Sequence, residues 1–260
     1  MPAVRQREDP HEHIVKIREP LEVGPYLGPK QRKFVDTVNA VVRMLDNHNI
    51  GRESWMVIAG GAVFLYQLDL ASKGYNVPTD RVPTDLDVVV NNDESRRRHI
   101  LEVLRDRIMP LEEAELTTAP VLHFGHLLKG PTLKTVFNGV PVDLITELSQ
   151  EYSPDHRFAP AKEYRYPPAD RLFASAIPME HPLLEHDVML AHPGFIAFYK
   201  TMLARDRDGK QDTDDIRRLK AMCLLDPSEE LTGVMRTMCH GDEELIGQIS
   251  KAIAEVGSVT

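Results

Sequence analysis

Apolar and polar positions along this chain follow two periods, and the switches between them outline its elements. In "KQRKFVDTVNAVVRMLDNHN", Phe34, Val38, Val41, Val42 and Leu45 recur at helical spacing, and Asn49 and Gly51 supply a stop. "SWMVIA" is a short apolar run of strand type. It leads through Gly60 and Gly61 into a helical run carrying Val63, Leu65, Tyr66 and Leu68. The stretch from Ser72 to Pro83 holds Gly74, Asn76 and Pro78 and reads as a loop. "DLDVVV" then reads as a short buried strand, and "DESRRRHILEVLRDRIM" as a helix with acidic residues in its first turn, where the helix dipole favours them. Three β-leaning pieces follow, "APVLHFG", "LKTVFNG" and "VPVDLITE", with Asn138-Gly139 as the hairpin signal between the last two. From about Pro154 the chain is proline-rich and then helical, in "GFIAFYKTMLARDR", "DTDDIRRLKAMCLL", "SEELTGVMRTM" and "EELIGQISKAIAEV".

This order predicts an α/β protein, a mixed sheet core flanked by helices with a helical C-terminal part. Residues 1–30, charged and punctuated by Pro2, Pro10, Pro20 and Pro25, read as an extended or disordered arm, and 31–51 as a packing helix. The core then spans 52–150 and the mostly helical part 151–260. A length of 260 residues with 42% hydrophobic content is ample for a buried core. The net charge of -9 argues against a surface coated for nucleic acid, though it leaves room for a local basic groove. Cys223 and Cys239 are too few for a disulfide framework. With no apolar run long enough to span a bilayer and no apolar leader, the expectation is a cytoplasmic protein with no membrane role.

The chemistry concentrates between Trp55 and Val90. Residues two apart on a strand share a face, so Asp85 and Asp87 present paired carboxylates while Leu86 turns inward. Two such charges in a partly dry site repel, and a hard divalent cation, Mg²⁺ or Mn²⁺, is the natural resolution. Gly60 and Gly61 sit where a strand meets a helix, and the absence of side chains lets backbone N–H groups approach a phosphate. Asp143, on "VPVDLI", is a third candidate metal ligand and catalytic carboxylate. Phosphate cradle, carboxylate pair and third carboxylate are the parts of a two-metal phosphoryl or nucleotidyl transfer site. Other polar features carry less. His11 and His13 read as solvated, Arg96, Arg97 and Arg98 as a solvated helix face, and His123 and His126 lack cysteine partners for zinc. The "RRR" face, with Arg157, Lys162, Arg165 and Arg171, is a candidate contact for an RNA backbone. Trp55 reads as core, and Tyr66 and Tyr75 are unselected candidates for stacking on a base.

"VIAGGAVFLYQL", "RVPTDLDVVV" and "VPVDLI" together resemble the core of the polymerase-β-type nucleotidyltransferase superfamily. "HPGFIAFYKTMLARDRDGKQDTDDIRRL" is similar to the second half of its AbiEii-like abortive-infection toxins, with Lys200, Arg205, Lys210, Asp212 and Asp215 at the charged positions. The resemblance covers roughly residues 52–226. Two departures stand out: Ala62 replaces a hydroxyl residue common after the glycines, and Gln211 separates Lys210 from Asp212. The resemblance implies a Mg-dependent nucleotidyltransferase moving a nucleoside monophosphate from a nucleoside triphosphate to a hydroxyl on RNA, protein or a small molecule. It also implies a toxin-like role with an antitoxin partner. Asp85 and Asp87 would hold the nucleotide metal, Asp143 the acceptor-side metal, and Gly60, Gly61, Lys200 and Arg205 the phosphates. Asp212 and Asp215 would cap their helix and orient Lys200 or Arg205. A nucleotide-binding regulatory module without transfer, and an aminoglycoside-type antibiotic nucleotidyltransferase, are the alternatives.

Overall fold

The computed structural model describes residues 27–77, 79–90, 115–117, 121–123, 126–129, 132–145, 149–152, 173–206 and 210–257, and the statements below concern these. The N-terminal arm to residue 26, the "RRR" helix and the basic residues 157–171 lie outside them.

Helix α1, Pro29–Asn47, turns Phe34, Val35, Val38, Val41, Val42 and Leu45 inward, as its spacing predicts. Proline opens it, where the missing N–H is not needed. After a 3₁₀ turn at Arg52–Ser54 comes β1, Trp55–Val57, and directly behind it α2, Ala59–Ser72. Helix α2 is apolar on nearly every side, and such a helix is stable only in an interior. It lies against the next strand, β2 (Leu86–Val90), and against two later helices, α3 (Pro193–Asp206) and α4 (Lys210–Ala221). Phe34 of α1 meets Phe64 of α2 edge to face, ring centroids 5.3 Å apart. Trp55 is fully buried in the same core.

Strands β3 (Glu115–Thr117), β4 (Val121–His123), β5 (His126–Lys129), β6 (Thr132–Phe137), β7 (Val140–Ile145) and β8 (Ser149–Tyr152) follow in sequence. Strands β6 and β7 form the predicted hairpin, with Asn138 and Gly139 both at positive φ (52° and 68°), the twist a two-residue turn requires. Two further strands, β9 (Ile177–Met179) and β10 (Val188–Leu190), fall in the stretch that reads from sequence as proline-rich connection. Among the described residues the main sheet runs β3-β6-β7-β2-β1-β10-β9, and β4-β5-β8 form a second, three-stranded sheet. The main sheet is mixed: β2 runs parallel to β7 and antiparallel to β1, and β1 runs parallel to β10. It is the predicted α/β architecture, with β9 and β10 extending the sheet beyond residue 150. Helices α3 and α4, with α5 (Glu229–Met238) and α6 (Glu243–Glu255), form the helical C-terminal part. Ser228 caps α5 and Asp242 caps α6 through side-chain oxygens.

Gly61 sets how closely α2 approaches the sheet. A Cβ there would lie 3.1 Å from Val57 Cγ1, 3.3 Å from Leu86 Cδ1 and 3.4 Å from Phe34 Cζ, side chains of β1, β2 and α1. Gly61→Ala should therefore destabilise by about 1–3 kcal/mol through overpacking, read as a lower midpoint in thermal or urea unfolding.

Candidate active site

The candidate site lies along β2 and β7 and at the start of α2. The parallel register places Asp87 directly beside Asp143, Leu86 beside Val142 and Val88 beside Leu144. Leu86, Val88, Val142 and Leu144 are all 0% exposed, so the inward residues fix which face the two aspartates share. Asp85, on the bend just before β2, is exposed, and its Oδ1 lies 3.3 Å from Thr84 Oγ1. The backbone N–H of Ile58 donates to the Asp87 carbonyl at 3.0 Å, which ties the β1–α2 turn to the carboxylate strand.

Electrostatics at this point are unresolved by the protein alone. Burial pushes the Asp87 carboxyl up to about 7, and the neighbouring charges of Asp85 and Asp143 push the same way, against the weaker pull of Lys200 and Lys134. Lys134, absent from the sequence reading, lies opposite Asp143 on β6, its Nζ 3.5 Å from Asp143 Oδ2. A lysine on an exposed strand position carries no sequence signal; only the register of β6 against β7 finds it. Among the described residues no three ligands enclose a metal ion as they stand. The donor set nevertheless suits one: three carboxylates, oxygen-only, with mutual repulsion that a hard divalent cation would relieve.

The two glycines have different surroundings. Gly61 is buried against β1 and β2, whereas the missing side chain of Gly60 opens towards Arg81, Pro83 and Asp215, each about 3.7–3.8 Å from where a Cβ would stand. Left-handed backbone falls on neither of them but on Ala59, at φ 53°. A non-glycine residue there is strained, and strain of this kind collects at functional turns. Ile58, which caps α2, makes no side-chain capping bond. Ala62 is fully buried.

Lys200 is only 6% exposed. Its Nζ stands 2.9 Å from Asp212 Oδ1 and 3.0 Å from Asp215 Oδ2, and both aspartates are 0% exposed. Arg81 pairs with Asp215 and approaches Asp214 at 3.8 Å, while Arg218 joins Asp214 and Asp80 at 2.8 Å each. The segment before β2 is thus tied to α4 by charge, and α4 in turn to Lys200 of α3. Arg205 is on α3, five residues past Lys200 and so about 140° around the helix from it; its side chain and that of Lys210 lie outside the described set. Tyr66 is buried and donates to the Ala191 carbonyl at 3.0 Å, which removes it as a surface for stacking on a base.

A carboxyl with a folded pKa raised from 3.8 to about 7 stabilises the fold only while it is protonated. That contribution is complete below the unfolded value and is lost as pH rises towards 7. In EDTA, the melting temperature of Asp87→Asn should gain on that of the parent as pH is raised from 4 to 8. A constant difference across that range would show that Asp87 ionises freely.

No protein-family model matches the sequence, and no curated protein matches it. Among solved structures, the chain is similar to a crystal structure of an antigenic nucleotidyltransferase-like protein from Paracoccidioides brasiliensis. They share 18% identity over 87% of this chain and 94% of that chain, with a TM-score of 0.39.

Proposed function

We propose that this chain is a metal-dependent nucleotidyltransferase that moves a nucleoside monophosphate from a nucleoside triphosphate to a hydroxyl acceptor. The observation that carries the reading is the pairing of Asp87 with Asp143 in register on neighbouring parallel strands, beside Asp85 and next to the start of α2. Asp85 and Asp87 would hold the nucleotide-side ion, Mg²⁺ or Mn²⁺, and share a second with Asp143. Such ions supply neutralisation of the triphosphate and a lower pKa for the acceptor hydroxyl.

The chain's own groups do the rest. Asp143 takes the proton of the acceptor hydroxyl, and Lys134, its Nζ 3.5 Å away, orients that carboxylate. The acceptor oxygen forms a bond to the α-phosphorus while the bond from that phosphorus to the α–β bridging oxygen breaks, and pyrophosphate leaves. The open first turn of α2 offers Gly60 and Gly61 N–H groups to phosphate oxygens. Lys200 supports the same region from behind, close enough to lower the Asp87 pKa. Arg205 is retained as a candidate for the distal phosphates. A toxin-like role, with RNA or a protein as acceptor and an antitoxin as partner, rests on the charged C-terminal motif around Lys200 and Asp215.

The test is transfer of label from each α-labelled nucleoside triphosphate, with Mg²⁺, to total RNA, cell protein and aminoglycosides. Asp143→Asn should lower transfer at least about a hundredfold while metal-dependent nucleotide binding persists, because proton abstraction is lost and the Asp85–Asp87 pair is not. Asp87→Asn should damage both. Transfer by Asp143→Asn at the parent rate would remove Asp143 from the site. Metal-dependent binding by the parent with transfer to none of these pools would leave a nucleotide-binding module.

A further inference from the structure

The space in front of the first turn of α2 already holds an anion. Asp215, from α4, is 0% exposed, and its Oδ2 lies 3.8 Å from the position a Gly60 Cβ would take. It contacts two cations from two other elements, Lys200 Nζ at 3.0 Å and Arg81. Each of its oxygens faces one of these cations, Oδ1 towards Arg81 and Oδ2 towards Lys200, so the carboxylate is held between two positively charged groups. Each cation also has a second acid: Asp212 Oδ1 is 2.9 Å from Lys200, and Asp214 Oδ2 is 3.8 Å from Arg81. The uncapped start of α2 adds a third attraction for negative charge, from its N–H groups and the helix dipole.

We propose that Asp215 is an internal stand-in for a substrate phosphate, so that polyphosphate binding here is an exchange of anions. Without ligand its carboxylate occupies the place that Arg81, Lys200 and the start of α2 would give to a phosphoryl group. An entering polyphosphate takes over Arg81 and Lys200, and Asp215 withdraws. Lys200 stays neutralised by Asp212 during the exchange, which lets it serve a ligand without being stranded as a buried charge. The built-in competitor excludes weakly charged anions and favours ligands with several phosphate charges. The polyphosphate chemistry of the ligand rests on the nucleotidyltransferase reading; the exchange itself does not involve Asp85, Asp87 or Asp143.

Inorganic tripolyphosphate, titrated calorimetrically into the full chain in EDTA, isolates this step from metal, nucleotide and acceptor. Asp215→Asn should bind it at least about tenfold more tightly than the parent, since a like charge within a few ångströms of the ligand is removed. Adding Arg81→Ala to that variant should cancel the gain. Equal or weaker binding by an Asp215→Asn protein with a native circular dichroism spectrum would overturn the proposal. If that variant does not fold, Gly60→Ala decides. Gly60 has no left-handed φ and its Cβ would meet only ordinary contacts, so the substitution leaves the fold intact while filling the gap. It should weaken tripolyphosphate binding by the parent about tenfold; unchanged binding would place the anion elsewhere. Because these assays contain no divalent metal, their failure would leave the transfer reaction standing, and loss of transfer would leave the exchange standing.

Discussion

The structure turns on the register between β2 and β7. Four fully buried aliphatic side chains, Leu86, Val88, Val142 and Leu144, hold the two strands in one alignment, and that alignment sets Asp87 beside Asp143. A slip by one residue would drive the carboxylates into the core and the aliphatic residues out, so apolar burial enforces the electrostatic conflict. With Asp85 just upstream, three acids are confined to one end of a central strand pair, and the Asp87 carboxyl responds by holding its proton to about 7. Such a conflict is seldom kept without a use, because a protein free to choose would replace one acid by a neutral residue.

A second set of charges determines where Asp85 can be. The segment before β2 has no regular structure of its own, yet Asp80 and Arg81 tie it to α4 through Arg218, Asp214 and Asp215. Lys200 of α3 completes the cluster from behind. Buried pairs of this kind add little net stability when whole, but removing one partner strands the other and typically costs about 3–5 kcal/mol. They therefore specify position more than they add stability. The helical C-terminal part thereby helps aim the residues that open β2, which makes it part of the site's construction.

Much of this was legible in the sequence for local reasons. Period-2 and period-3.6 patterns and the Asn138-Gly139 turn act within a few residues, so α1, α2, β2, the β6–β7 hairpin and the four late helices can be read directly. The Asp-x-Asp and Asp143 could be named for the same reason. Strands β9 and β10 could not: three residues each, set among prolines and histidines, they owe their structure to pairing with each other and with β1. Lys134 and the Arg81–Asp215 contact were equally hidden, since both depend on chain segments brought together across 9 and about 130 positions. The two glycines read as one phosphate motif, but only the packed structure separates Gly61, required by Val57 and Leu86, from Gly60, which faces the charges.

The two charge clusters are adjacent and opposite in need. Burial lowers the pKa of Arg81, and the carboxylates of Asp214, Asp212 and Asp85 oppose it, so one side chain senses both clusters. Lys134 and Lys200 offset only part of the charge that Asp85 and Asp143 set around Asp87. Arg81 and Lys200 share Asp215, an anion that belongs to the protein itself. A divalent metal alone would relieve the first cluster and leave the second unchanged. A polyphosphate alone would suit the second but meet repulsion from the first. On the proposed reading a metal-bound polyphosphate would answer both: Asp85, Asp87 and Asp143 would hold its cation, and its oxygens would take the place of Asp215. On that reading each component binds more tightly in the presence of the other, and linkage requires the gain to be the same in both directions. Selectivity for a metal–nucleotide complex over either part would then follow from the placement of charge in the fold, before any base or acceptor is recognised.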